Sequence, residues 1–269
     1  MFRKEVRIIN NIDIEKELES PEYKAEYKKH LHINNSLIRC LFFSSMNCSR
    51  SKEMKNKLFF LSVIDDILQS SVAIKMLATE GIRNTCRREM RYLIELSIKA
   101  CYVTQKFSDK TVEKQIDEYK KQLKTSNITM VKDIDFYFFN EKNAKSFLQE
   151  IKRMYGYTCN YVHASPNQML ERLSLVANGR TIGKEGLKEL KELNTEISKV
   201  YSYILVFLFH SLPTWCVGDY LVERDGKTVD WYFAKSKYIA EIDQHFDYKH
   251  ERQSIIDEVR DMRNKSIEF

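Results

Sequence analysis

Residues 187–212 read LKELKELNTEISKVYSYILVFLFHSL, and Pro213 follows them. The apolar positions recur at helical spacing and then become continuous, which predicts one long helix buried along its second half. The apolar part, 200–212, carries Ser202 and His210 and is too short to cross a bilayer, which takes about 20 apolar residues. Pro213 cannot extend the helix and marks its end. The chain as a whole has the same character. Among 269 residues there are 7 Gly and 3 Pro, against roughly 19 and 13 at average usage. So few turn formers argue against a sandwich, a barrel or a doubly wound sheet. The expected fold is all-α, a bundle of long antiparallel helices with a small C-terminal β-hairpin and helix appended.

Working outward, Pro21 after Ser20 predicts a helix start. Over 51–80, Leu58, Leu61, Ile64 or Asp65, Leu68, Val72 and Leu77 recur at three- and four-residue spacing, predicting one amphipathic helix that Gly81 caps. A second helix over 82–106 carries the stripe Met90, Leu93, Ile94, Ser97 and Cys101. A charged helix is expected over 108–125 and another helix over 141–164. Between them 127–140 is irregular, and its run Phe136, Tyr137, Phe138, Phe139 is expected to fill a groove between helices. Ser165-Pro166-Asn167-Gln168 has the pattern of a helix cap, and 178–186 that of a loop. Tyr220 to Glu223, then Asp225-Gly226, then Thr228 to Phe233 predict the hairpin. A charged helix over 250–265 ends the pattern. The division expected is a helical extension over 1–50, the bundle over 51–213, and the hairpin with its helix over 214–269.

The chain has 44 Lys and Arg against 38 Asp and Glu, a net charge of +6. That permits contact with RNA without demanding it. No apolar leader segment opens the sequence, and the six cysteines lack a C-x-x-C pair. The expectation is a cytoplasmic protein with reduced core thiols and no membrane contact. No cofactor or metal is expected. There is no G-x-G-x-x-G, no G-x-x-x-x-G-K-[ST] and no H-E-x-x-H. Gly179 to Glu185 misses the phosphate-loop spacing and reads as a connection. His30, His32, His245 and His250 read as solvated. Of Asp65 and Asp66, at most one is expected to face the core and one to pair with a base.

Two segments carry candidate chemistry. Arg88, Arg91 and Glu95 form a row beside the apolar stripe of 82–106, with Arg91 and Glu95 four residues apart. That is either a half-buried ion pair on a helix flank or a guanidinium held ready for a phosphate. On the helix over 141–164, Gly156, Cys159, Asn160 and His163 share one face. A Gly and a Cys there predict close helix packing, with Asn160 and His163 pointing into the contact.

Ser71-Val72-Ala73-Ile74-x-Met76-Leu77, Arg88-x-x-Arg91-x-Leu93-Ile94-Glu95 and Tyr155-x-x-x-Cys159-x-x-Val162-His163-x-Ser165 together resemble signatures of a prokaryotic group similar to the HEPN superfamily, helical bundles of toxins and antiviral defence systems. The likeness covers about residues 55–212. It implies a homodimeric bundle with Arg91, Glu95 and His163 brought together between helices, and an antitoxin or another defence protein as a partner. The ribonucleases of that superfamily place an arginine four to six residues before a histidine. None of the six histidines here has one. An RNA-cutting site would therefore be composite: Arg91 neutralising a phosphate, Glu95 orienting it and His163 moving the proton, with Arg88, Asn160, Tyr155 and Ser165 contacting the substrate. The other expectation is a non-catalytic module in which Arg91, Glu95 and His163 form a buried structural network.

Overall fold

The computed structural model describes residues 11–50, 59–125, 127–162, 165–177 and 186–269. Within them lie thirteen helices and no strand. They are α1 (Asn11–Glu19), α2 (Pro21–Ser49), α3 (Phe59–Ser62), α4 (Ile64–Thr79), α5 (Arg83–Lys106), α6 (Val112–Leu123), α7 (Glu141–Cys159), α8 (Pro166–Ala177), α9 (Leu187–Phe209), α10 (Thr214–Leu221), α11 (Lys237–Gln244), α12 (His250–Gln253) and α13 (Ile256–Ser266). The all-α fold expected from the scarcity of Gly and Pro is the one observed.

Two helices organise the core. α9 packs on α2, α5 and α11, and α5 packs in turn on α4 and α7. From Val200 to Phe209 every residue of α9 is buried, so it runs through the middle of the molecule. On α5 the stripe Met90, Leu93, Ile94, Ser97 and Cys101 is fully buried, as its spacing demanded. Ser20 accepts a hydrogen bond from the Tyr23 amide at 3.2 Å with Pro21 at the first helical position, so α2 begins where the sequence indicates.

The expected helix over 51–80 differs in phase. The chain turns at Val63 between α3 and α4, and residues 51–58 lie outside the described residues. The buried positions of α4 are Ile64, Ile67, Ser70, Ser71, Ile74 and Ala78, whereas Val72 is 46% exposed. β-Branched isoleucines pack inward and the predicted stripe lies at the edge of that face.

The C-terminal hairpin is not formed. Its turn is there: Gly226 takes φ +83° and its amide bonds the Glu223 carbonyl at 2.9 Å. Pairing stops at one antiparallel bridge, Val222 with Thr228. Two causes are visible. Tyr220 and Leu221 belong to α10, and Trp231, Tyr232 and Phe233 are all buried. Three consecutive inward side chains cannot lie on one face of a strand, where neighbours alternate. The loop is held instead by charge. Arg252, fully buried, donates to the Gly226 carbonyl at 3.1 Å, to Thr228 Oγ1 at 3.1 Å and to Asp243 Oδ1 at 2.6 Å. Arg263 donates to Asp243 Oδ2 at 2.8 Å. A side chain at Gly226 would collide with the Glu251 carbonyl. The last helix is divided at Ser254 and Ile255 into α12 and α13.

The aromatic run does fill a groove. Phe136 and Phe138 are buried, and the Phe136 ring lies 5.2 Å from Phe147, 6.0 Å from Phe207 and 5.3 Å from His210. His210 closes α9: its Nδ1 lies 2.8 Å from the Val206 carbonyl, and its Nε2 accepts from the Phe138 amide at 3.4 Å. That arrangement needs a neutral ring. Burial pulls the His210 pKa down from 6.5 to about 4, against the Val206 hydrogen bond. Because the folded-state pKa lies below the unfolded one, the unfolded chain takes the proton first as pH falls. Stability should be full above pH 6.5 and decline towards pH 4, by about 3 kcal/mol from this group. Denaturant titrations from pH 7 to 4 should show that decline reduced in His210→Gln.

Candidate functional site

Between α5 and α7 the side chains Arg91, Glu95 and Tyr155 come together. Four-residue spacing puts Arg91, Glu95 and Lys99 in one row of α5, and Tyr155 and Cys159 in the facing row of α7. Arg91 Nη2 donates to Tyr155 Oη at 2.9 Å and stands 3.3 Å from Glu95 Oε2. Its Nε donates to Cys159 Sγ at 3.3 Å. Tyr155 Oη donates to Glu95 Oε2 at 3.2 Å. The other oxygen of Glu95 accepts from Lys99 Nζ at 2.5 Å, and Lys99 also donates to the Thr125 carbonyl. Burial opposes the Arg91 charge, but the Cys159 hydrogen bond and the neighbouring Tyr155 and Glu95 hold its pKa above the usual arginine range. Burial and the Glu95 charge push the Tyr155 phenol up to about 12, so it stays a donor. Each charge in this group already has its counterion within the protein.

One turn earlier on α5 lies a second group. Arg87 is buried and grips Glu196 of α9 with both Nε and Nη2, each at 2.8 Å. Its Nη1 reaches Glu171 of α8 at 3.4 Å. Its guanidinium lies over the rings of Tyr161, at 4.5 Å, and Tyr157, at 5.6 Å. Tyr157 in turn donates to Glu196 and Tyr161 to Glu171, both at 2.8 Å. Arg87 is plain on α5, but nothing in the sequence ties it to Glu196, which lies among the charged residues of the first half of α9.

The remaining expected contacts are spent on helix ends. Arg88 Nε donates to the Tyr161 carbonyl at 2.7 Å, beside the Gln168 amide at 2.9 Å. Ser165 accepts from the Gln168 amide nitrogen at 3.3 Å, which makes it the cap of α8. Asn160 is exposed at the C-terminus of α7, not turned into a contact between helices. Gly156 is exposed as well, and a side chain there would meet open space, so it marks no close helix packing. His163 and the Gly179–Glu185 stretch lie outside the described residues.

Two further expectations change. Asp65 and Asp66 are both exposed, and Asp65 pairs with Gln69, not with a base. His30 is fully buried instead of solvated: Nδ1 lies 2.7 Å from Asn194 Oδ1, and Nε2 lies 3.2 Å from the Asn34 amide. Burial lowers its pKa. A long helix hides such a residue from pattern reading because its flanks, Lys29 and Leu31, look like those of a surface turn. No group of three or more metal-ligating side chains exists among the described residues, and no helix among them is long and apolar enough to cross a membrane. No family model, no curated protein and no solved structure matches this chain.

Removing Glu95 leaves Lys99, fully buried, beside Arg91 with no carboxylate. Glu95→Ala should therefore cost about 3 kcal/mol of unfolding free energy in denaturant titration, and Glu95→Ala with Lys99→Met should recover most of that loss. A single-variant loss below 1 kcal/mol would remove the network from the stabilising interactions.

Proposed function

We propose that the chain is a helical interaction module that pairs with a second copy of itself through α8, and that Arg91, Glu95 and Tyr155 are a structural network within it. The observation that carries this reading is the polarity of α8. Its inward side is polar: Gln168 and Glu171 reach Tyr161 and Arg87. Its outward side holds Met169, Leu170, Leu173 and Val176, each more than half exposed. An amphipathic helix normally buries its apolar stripe. Contiguous apolar patches of a few hundred Å² mark interaction surfaces on soluble proteins. The row is self-complementary. Antiparallel pairing about an axis near Arg172 sets Leu170 against the partner's Leu173 and Met169 against the partner's Val176, an isologous contact. The pairing agrees with the homodimer that the HEPN resemblance implies.

Leu170→Asp with Leu173→Asp should convert a dimer to monomer in sedimentation or light scattering while leaving stability within about 0.5 kcal/mol, because both positions are exposed. A wild-type chain that is monomeric at high micromolar concentration overturns the self-pairing. A dimer untouched by the double variant places the interface elsewhere.

A second reading, an effector that acts on RNA in a defence or toxin role, draws support from one feature. Arg83, Arg88 and Arg172 line a recess of about 270 Å³ at the N-terminal end of α5. Guanidinium groups gathered beside a helix N-terminus suit a phosphodiester. In this reading Arg91 neutralises the scissile phosphate and His163 is the acid or base. RNA degradation by the wild type that disappears in His163→Ala supports it. No degradation by the wild type, or equal degradation by both, rejects it.

A further inference from the structure

Cys48 stands in the last turn of α2 and Cys216 in the first turns of α10, 168 residues apart in sequence. Their Sγ atoms lie 3.6 Å apart. Both are buried and both are free thiols. Neither takes part in the polar networks around Arg87, Arg91 or Arg252. Two thiols in direct contact need an approach of only about 1.5 Å to reach the bonded distance near 2.05 Å. Side-chain rotation at the end of a helix supplies motion of that order. We propose that Cys48 and Cys216 are a redox pair, closed to a disulfide by hydrogen peroxide and tying the end of α2 to α10.

The two thiols differ in a way that orders the chemistry. The hydrogen bond between them lowers the Cys48 pKa, against burial, and raises that of Cys216. The contact favours ionisation of Cys48 over that of Cys216, and the thiolate is the nucleophile. Its sulfur attacks the peroxide; the O–O bond breaks, hydroxide leaves and takes a proton, and Cys48 becomes a sulfenic acid. Cys216 sulfur then attacks Cys48 sulfur, the S–O bond breaks, and the departing hydroxide takes the Cys216 proton as water. In sum two thiols lose two electrons and two protons, and one peroxide becomes two waters. Cys40 is an alternative partner, since it acts electrostatically on Cys216, but burial pushes its own pKa far up. Access runs through the last turn of α2, the part of a helix that opens first.

The test treats the full chain with hydrogen peroxide and counts thiols after denaturation. Six are present at the start. Four should remain, the mass should fall by two hydrogen atoms, and digestion should yield one Cys48–Cys216 cross-linked peptide that dithiothreitol separates. The melting temperature of the oxidised chain should rise by several degrees, as a cross-link across a long loop constrains the unfolded state. Cys40→Ser should still lose two thiols, and Cys48→Ser should lose none. Six thiols surviving peroxide that fully oxidises the denatured chain overturns the proposal. So does a cross-link through Cys40, or Cys48 oxidised to the sulfinic acid without a cross-link.

Discussion

A guanidinium cannot leave water unless its charge and its donors are answered, and Arg87 is where four helices supply the answer. α5 provides the arginine, α9 the bidentate Glu196, α7 the Tyr157 ring and the turn after it the Tyr161 ring, and α8 Glu171. None of these helices can turn about its axis by a residue without breaking one of those bonds. The apolar stripes of α5 and α9 set which faces meet, but oily contacts tolerate sliding. The fork geometry of one arginine on one carboxylate does not. The position of the Arg91 group one turn along α5 follows from this register.

The same device recurs at both ends of the molecule. His30, Asn34, Asn194, Glu26 and Tyr201 form a hydrogen-bonded seam between α2 and α9. Asp243 between Arg252 and Arg263 fastens the loop around Gly226 to α11, α12 and α13. The Asp243 group replaces the ladder that a hairpin would have used. A bundle this poor in turn residues makes its connections specific through buried polar groups, not through tight turns.

What the sequence revealed follows the range of the interactions involved. Helix existence is local, and α5 and α9 lie where periodicity placed them, while α7 ends at Cys159 with a turn over 160–162 in place of the expected run to 164. Caps are local too: Ser20-Pro21 and Ser165-Pro166 begin helices in the structure. The i, i+4 pair of Arg91 and Glu95 was legible because both partners sit on one helix. Lys99 was equally near but looked like a surface lysine, since nothing in its neighbourhood announces the Thr125 carbonyl above it. Arg87 was illegible for a different reason, because its partners lie 84 and 109 residues away. The hairpin was inferred from its turn and the two segments beside it, but Tyr220 and Leu221 joined a helix and the aromatic residues after the turn are buried in the core.

The polarity of α8 also bears on how the molecule is assembled and inherited. The apolar core between α2, α4, α5 and α9 is complete without it, since none of its outward leucines joins that core. It is attached by carboxylate and amide groups that water and salt can compete for. Such a part can be altered, or exchanged for another surface, while the body beneath it keeps its packing. Substitution in the core must preserve volume; on α8 it is free to follow whatever the helix meets.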